Sequence, residues 1–112
     1  MISKALVAAS TKPLLLSILL EGETYGYQII KQMKILSKGN LEWSFGMLYP
    51  VLHRLEKDDL ISSQWKESNK GRLRKYYKLT EKGHQELEKE KTQWLTVQSV
   101  LYKLWKSSEM PS

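Results

Sequence analysis

Ser44-Phe45-Gly46-Met47-Leu48-Tyr49-Pro50-Val51-Leu52-His53-Arg54-Leu55-Glu56-Lys57 gives way to Ile61-Ser62-Ser63-Gln64-Trp65-Lys66, whose pattern returns at Arg72-Leu73-Arg74-Lys75-Tyr76-Tyr77-Lys78-Leu79. In the first segment Leu48, Val51, Leu52 and Leu55 fall on one arc of a helix, and Gly46, Tyr49, Pro50, His53, Arg54 and Lys57 on the opposite arc. Ser44 is a good N-cap. Pro50 crowds the carbonyl four residues back, and that residue is Gly46, so a distorted or glycine-relieved first turn is expected. In the later segments the apolar period drops to two, which means strands. The polar, glycine-bearing Glu67-Ser68-Asn69-Lys70-Gly71 between them predicts a hairpin with an exposed basic tip, its first strand anchored on the core by Trp65.

On the N-terminal side, Pro13 suits a first helical position, and the apolar run Leu14 to Leu20 before Gly22 predicts a central helix. The role of residues 1–12 stays open between an extension of that helix and a separate arm. Thr24 is placed to cap a second helix carrying Tyr25, Ile29, Met33 and Leu36 on one face, with Gly39-Asn40 as its stop. On the C-terminal side, Thr80 caps a long helix reaching about Lys106, in which Leu87, Trp94 and Leu101 recur every seven residues, and Val97 and Leu104 lie three further on. That heptad stripe predicts packing against another helix, most simply a second copy of the chain, with a frayed tail over 106–112. The expected organisation is residues 1–79 as one compact unit and 80–112 as an appended helix and tail.

Charge is unevenly spread along the chain. Of the net +6, residues 1–60 hold seven basic and six acidic side chains and residues 61–112 hold eleven and six. Lys66 to Lys82 alone carry seven basic residues against Glu67 and Glu81, so nearly all the surplus lies on the hairpin. At 41% hydrophobic and 27% charged, the chain is too apolar for disorder. Its longest apolar run is roughly a third of a bilayer span, and Glu21-Gly22-Glu23 follows it where a signal peptide would have its cleavage site. A cytoplasmic protein without membrane association is expected. No cysteine is present, and His53 and His84 are the only histidines, so neither a metal site nor a cofactor is expected. No nucleophile, base and orienting group can be assigned, so the chain reads as a non-enzyme.

Three helices followed by a basic two-stranded ribbon is the order of a winged helix-turn-helix, here mostly α with a β-wing and a long C-terminal helix for dimerisation. The major groove of B-DNA accommodates one α-helix, so a helix held by its apolar face can read bases with its polar face. A ribbon of Lys and Arg neutralises phosphates and releases counterions, adding affinity that carries no sequence information. Double-stranded DNA is therefore the expected partner. The competing reading is a winged-helix protein interaction module, which has no need of a concentrated +5.

Three blocks carry a closer resemblance: Tyr25-Gly26-Tyr27-Gln28-Ile29-Ile30, Leu48-Tyr49-Pro50-Val51-Leu52-His53-Arg54-Leu55-Glu56-Lys57, and Gly71-Arg72-Leu73-Arg74-Lys75-Tyr76-Tyr77-Lys78-Leu79-Thr80-Glu81-Lys82-Gly83. In order and spacing they resemble the PadR transcriptional regulators, over about Pro13 to Leu104. The resemblance implies a homodimer that represses transcription from a near-palindromic operator. Two positions depart from the pattern: Gly46-Met47 stands for the usual Gly-Thr, and Asp58-Asp59 for the usual Asp-Gly. A single helix after the wing resembles the short subgroup, including multidrug-responsive members that hold a flat aromatic compound between tryptophans of the last helix.

The residues expected at DNA are Tyr27 at the start of the second helix; Ser44, Gly46, Met47, Tyr49, Pro50, His53 and Arg54 on the third; and Lys70, Arg72 and Arg74 on the wing. Tyr49 has two readings, a phosphate or base contact and packing under the wing. The dimer stripe is Leu87, Trp94, Val97, Leu101 and Leu104. Trp94 also has two readings: it fills the seam between helices, or it stacks on a planar aromatic effector. Trp43 and Trp105 are expected to pack.

Overall fold

The computed structural model describes residues 2–109. Seven elements follow in order: α1 (Lys4–Leu20), β1 (Thr24–Tyr25), α2 (Gly26–Leu36), α3 (Phe45–Lys57), β2 (Ile61–Glu67), β3 (Leu73–Leu79) and α4 (Glu81–Glu109). The strands form one antiparallel sheet in the order β1-β3-β2. Helices α1, α2 and α3 bury their apolar faces together with the root of the sheet and the start of α4. Leu15, Leu16, Ile29, Leu48, Leu52, Ile61 and Leu87 are sealed at the centre.

Pro13 does not begin α1. The helix starts earlier, at Lys4, where the Ser3 hydroxyl accepts the Leu6 N–H at 3.2 Å and supplies the cap. Pro13 lies inside it and removes the bond to the carbonyl of Ala9, an exposed residue. Residues 4–12 thus extend the central helix, and Ile2 and Val7 pack against the core.

Thr24 is not the cap of α2. Thr24 and Tyr25 pair with Tyr77 and Tyr76 as a third strand, and Tyr25 occupies the N-cap position. Ile29 and Met33 are buried as expected, whereas Leu36 is exposed. Ser44 does cap α3, its hydroxyl accepting the Met47 N–H at 3.2 Å. Pro50 sits inside an α-helix assigned without interruption from Phe45, so the expected irregularity is absorbed within the helix. At the far end of α3, Asp59 takes φ +63° where the family resemblance would place glycine, and Leu60 N–H closes on the Leu55 carbonyl at 2.9 Å.

Helix α4 leaves the sheet through a tight joint. Thr80 Oγ1 accepts the Gly83 N–H at 3.0 Å and donates to the Asp59 carbonyl at 2.6 Å. A Cβ on Gly83 would stand 1.9 Å from the Leu60 carbonyl oxygen, so only glycine permits this approach. The first turns of α4 lie against α1. Leu87 is 1% exposed in the core, and Lys12 Nζ reaches Glu86 at 3.1 Å and Glu90 at 3.6 Å. Burial opposes the Lys12 charge, but hydrogen bonding and attraction from the two carboxylates outweigh it and hold its pKa above the usual lysine value. From Lys91 to Ser107 every residue is exposed. The helix continues past Lys106 to Glu109, which removes part of the expected frayed tail; residues 110–112 lie outside the described residues. Among the described residues, no helix is long and apolar enough to cross a membrane.

Candidate nucleic-acid interface

The buried arc of α3 is Leu48, Leu52 and Leu55; the outward arc is Gly46, Tyr49, Pro50, His53, Arg54 and Lys57, all exposed. A groove runs along each flank. On one side Met47 and Val51 meet Ile2, Val7 and Thr11 of the α1 segment. Met47 is therefore not on the outward arc. Its side chain is half-buried against the core, because the α1 extension offers it an apolar lining.

On the other flank a cleft of about 590 Å³ separates α3 from the wing. Phe45 and Tyr49 stack at 5.5 Å along one wall, with Tyr27, 60% exposed, at the start of α2 beside them. Tyr49 is packed at the mouth of the cleft and still reaches solvent. Its ring packs on Phe45 and its hydroxyl lies over Gly26, where an added Cβ would sit 3.2 Å away, yet the residue remains 47% exposed. The opposite wall is the wing, with Trp65, Arg72, Leu73 and Arg74.

The strand register sorts the wing's side chains. Ile61, Ser63, Trp65 and Glu67 stand opposite Leu79, Tyr77, Lys75 and Leu73. Near the root this face is buried, Ile61 and Tyr77 being almost fully covered. Toward the tip, Trp65 is 64% and Leu73 69% exposed. Trp65 therefore does not anchor the strand: the period-two pattern continues after the body beneath it has ended. Burial, with Tyr49 and Glu56 nearby, pushes the Tyr77 hydroxyl up to about 12.

Cations on the hairpin fall into two groups. Lys66 pairs with Glu23, Lys75 lies 3.7 Å from Glu56, and Lys82 donates to the Asp58 carbonyl at 3.1 Å. Glu56 also accepts a hydrogen bond from Ser63, so one carboxylate joins α3 to both long strands. Among the described residues, Lys70, Arg72, Arg74 and Lys78 have no carboxylate within 4.0 Å. Arg74 lies over the Tyr25 ring at 4.4 Å, and Tyr25 meets Tyr76 edge-on at 5.3 Å, which orients the guanidinium without neutralising it. Lys70 and Arg72 occupy the turn, where Gly71 takes φ +75° and Ser68 N–H bonds to the Arg72 carbonyl at 2.6 Å. The wing cations expected to face DNA, Lys70, Arg72 and Arg74, are thus among those the fold leaves without ion pairs, together with Lys78. Charge and spacing alone could not make this division, since Glu23 and Glu56 come from distant parts of the chain.

The model of the PadR-like transcriptional regulator family matches residues 15–89, a span that contains the core, α3, the wing and the start of α4. The chain belongs to this family. Its structure resembles a PadR-like transcriptional regulator from Bacillus cereus with a TM-score of 0.82 at 30% identity, over 91% of this chain and 97% of that one. It also resembles a PadR family transcription regulator from Clostridium difficile, with a TM-score of 0.74 at 32% identity over 86% and 98% of the two chains. The transcriptional regulator YqjI of Escherichia coli is 37% identical over 79 residues, 70% of this chain and 36% of that protein, so the chain spans about a third of that relative's length. In this PadR-like chain the structure also adds Phe45, Trp65 and Leu73 to the cleft beside the expected residues. For Trp65 and Leu73 the signal lay in the period-two pattern, which gives the face of a strand but not where the body under it stops; Phe45, at the first position of α3, carried none.

The C-terminal stripe divides as well. Leu87 is occupied in the subunit's own core and is removed from the expected dimer contact. Trp94 and Leu101 are each 38% exposed, and Val97 and Leu104 more so, joined by Leu95, Val100, Tyr102 and Trp105. Between α1 and α4, Ser10, Pro13, Leu14, Ser17, Trp94 and Leu95 line an apolar groove of about 570 Å³.

Proposed function

We propose that this PadR-like chain is a homodimeric DNA-binding repressor that acts in the cytoplasm on a near-palindromic operator. Residues 1–79 form the reading head, and residues from 80 onward the dimerisation helix and tail. The observation that supports this reading is one open cleft whose lining joins Tyr49 of the outward arc of α3 to Arg72 and Arg74 of the wing, two cations without a carboxylate partner among the described residues. In this reading His53, Arg54, Tyr49, Gly46 and Pro50 meet the major groove, while Ser44 caps the helix at its margin. Tyr27, Lys70, Arg72 and Arg74 bind phosphates.

Anisotropy titrations of a duplex selected from random DNA, repeated across salt concentrations, test it. Arg72→Ala is expected to weaken binding to all duplexes alike and to lower the salt slope by about 1, while His53→Ala changes the preference among sites. Absence of wild-type binding at low salt overturns the reading.

The apolar side chains exposed on α4 support the dimer, because a contiguous apolar surface of this extent favours a partner over water. A planar aromatic effector belongs to the same proposal. The groove beside Trp94 offers it one indole face, to which a second copy of the chain would add another, and it regulates only if it binds DNA-competent and DNA-incompetent dimers with different affinity. Quenching of Trp94 fluorescence by planar aromatic compounds, lost in Trp94→Ala, is the expected result; no quenching leaves Trp94 as a packing residue.

A further inference from the structure

Trp65 and Leu73 are large apolar side chains on the part of the wing that projects beyond the core. They lie diagonally on one face: Trp65 is paired with Lys75, and Leu73 with Glu67 one pleat nearer the tip. Diagonal neighbours of this kind lie about 7–8 Å apart, close enough for a tryptophan and a leucine to form one patch. The patch faces the cleft whose other wall is α3, and Arg72 and Arg74 border it.

A ribbon that served only to neutralise phosphates would have no use for this patch, whose exposure to water is unfavourable. Neither residue suits hydrogen-bonded reading of bases, since leucine has no polar group and tryptophan has a single donor. Glu67, directly across from Leu73, places a carboxylate at the same margin. It repels phosphates there and leaves sugar and base edges as the surface these side chains can meet.

We propose that Trp65 and Leu73 form an apolar wedge that the wing presses into the minor groove beside the segment read by α3, so that the protein selects duplexes by how easily that groove opens. The assignment rests on the DNA-binding reading and adds a second source of specificity to it. A two-stranded ribbon is wider than the minor groove of relaxed B-DNA, so entry of apolar side chains requires local widening and unstacking. Pyrimidine–purine steps such as TA yield easily and A-tracts resist, so the wedge converts stiffness into sequence preference without base hydrogen bonds. The Lys66–Glu23 and Lys75–Glu56 pairs brace the hairpin against the body, which lets it transmit the strain.

The test uses the full chain and two duplexes sharing one selected core site, one with a TA step and one with an A-tract at the wing position. Binding is followed by anisotropy over a range of salt concentrations. Wild type is expected to favour the TA duplex by about tenfold. Trp65→Ala and Leu73→Ala are each expected to lose most of that preference with the salt slope unchanged, whereas Trp65→Phe keeps it and Arg72→Ala lowers the slope while leaving the preference. Both apolar positions are exposed, so thermal melts should match wild type and separate loss of contact from loss of fold. Equal preference in wild type and Trp65→Ala overturns the wedge while leaving DNA binding intact. Absence of wild-type binding to either duplex overturns both.

Discussion

The wing and the outer half of α4 both hold large apolar side chains in water, but their surroundings differ. Beside Trp65 and Leu73, Arg72 and Arg74 line the same cleft without an ion pair among the described residues, and the hairpin is braced to the body by Glu23 and Glu56. Along α4, Trp94, Val97, Leu101 and Leu104 are joined by Leu95, Val100, Tyr102 and Trp105, so apolar surface exceeds a single stripe, and every residue from Lys91 to Ser107 is exposed. A cationic frame around a small apolar patch suits a polyanion with a groove. A long apolar surface suits a partner of the same kind. Exposure alone therefore does not identify a binding surface; the charge around it and the support beneath it do.

The comparison breaks most completely at the joint between the two regions. Gly83→Ala forces a methyl toward the Leu60 carbonyl, and since backbone must move on both sides, a loss of about 3 kcal/mol is expected in chemical denaturation. A wild-type midpoint would show that the joint yields freely. Next in size is Leu101→Glu, which places a charge on the outer apolar surface of α4. It should weaken self-association by ~2 kcal/mol or more in sedimentation equilibrium while leaving the thermal stability of the reading head unchanged. Persistence of a dimer at micromolar concentration would remove α4 as the contact.

At the root of the wing, Tyr77 is a buried acid held neutral, its pKa raised from 10.0 to about 12. Stability from this group is fully present below pH 10, since both states are then protonated, and declines as pH rises from 10 to 12, because the unfolded chain releases the proton first. Two pKa units correspond to ~2 to 3 kcal/mol. Lys12, raised by Glu86 and Glu90, adds a decline of the same sign above pH 10.5. Tyr77→Phe should flatten the larger part of the alkaline slope, and an unchanged slope would place the titration elsewhere. The smallest effect concerns Asp59. Glycine removes the left-handed penalty but adds freedom to the unfolded chain, so Asp59→Gly is expected to stabilise by about 0.5 kcal/mol, visible as a small upward shift of Tm.

Much of this architecture was legible along the chain. The Ser44 and Thr80 caps, the change of period at Ile61, and the glycine in the hairpin turn are signals between near neighbours, and each appears at the expected position. The misreadings share a cause. Pro13 was placed at a helix start because proline is favoured there, whereas Ser3 caps a longer helix that accommodates it. β1 has two residues, too few to show any period, and its partners Tyr76 and Tyr77 are some fifty positions away. Trp65 and Leu87 lie on the expected elements but in other surroundings, the first in water and the second in the core.

Local order follows from backbone sterics and from hydrogen bonds spanning a few residues, so helices, hairpin and the concentration of positive charge could be read from the amino acids in order. Where the protein body ends beneath a strand or helix depends on elements far apart in the chain. That boundary buries Tyr77 and exposes Trp65, encloses Leu87 and leaves Leu104 in water, and pairs Lys66 and Lys75 while leaving Arg72 and Arg74 without ion pairs among the described residues. Burial and ion pairing are properties of three-dimensional proximity, and folding was required to assign them.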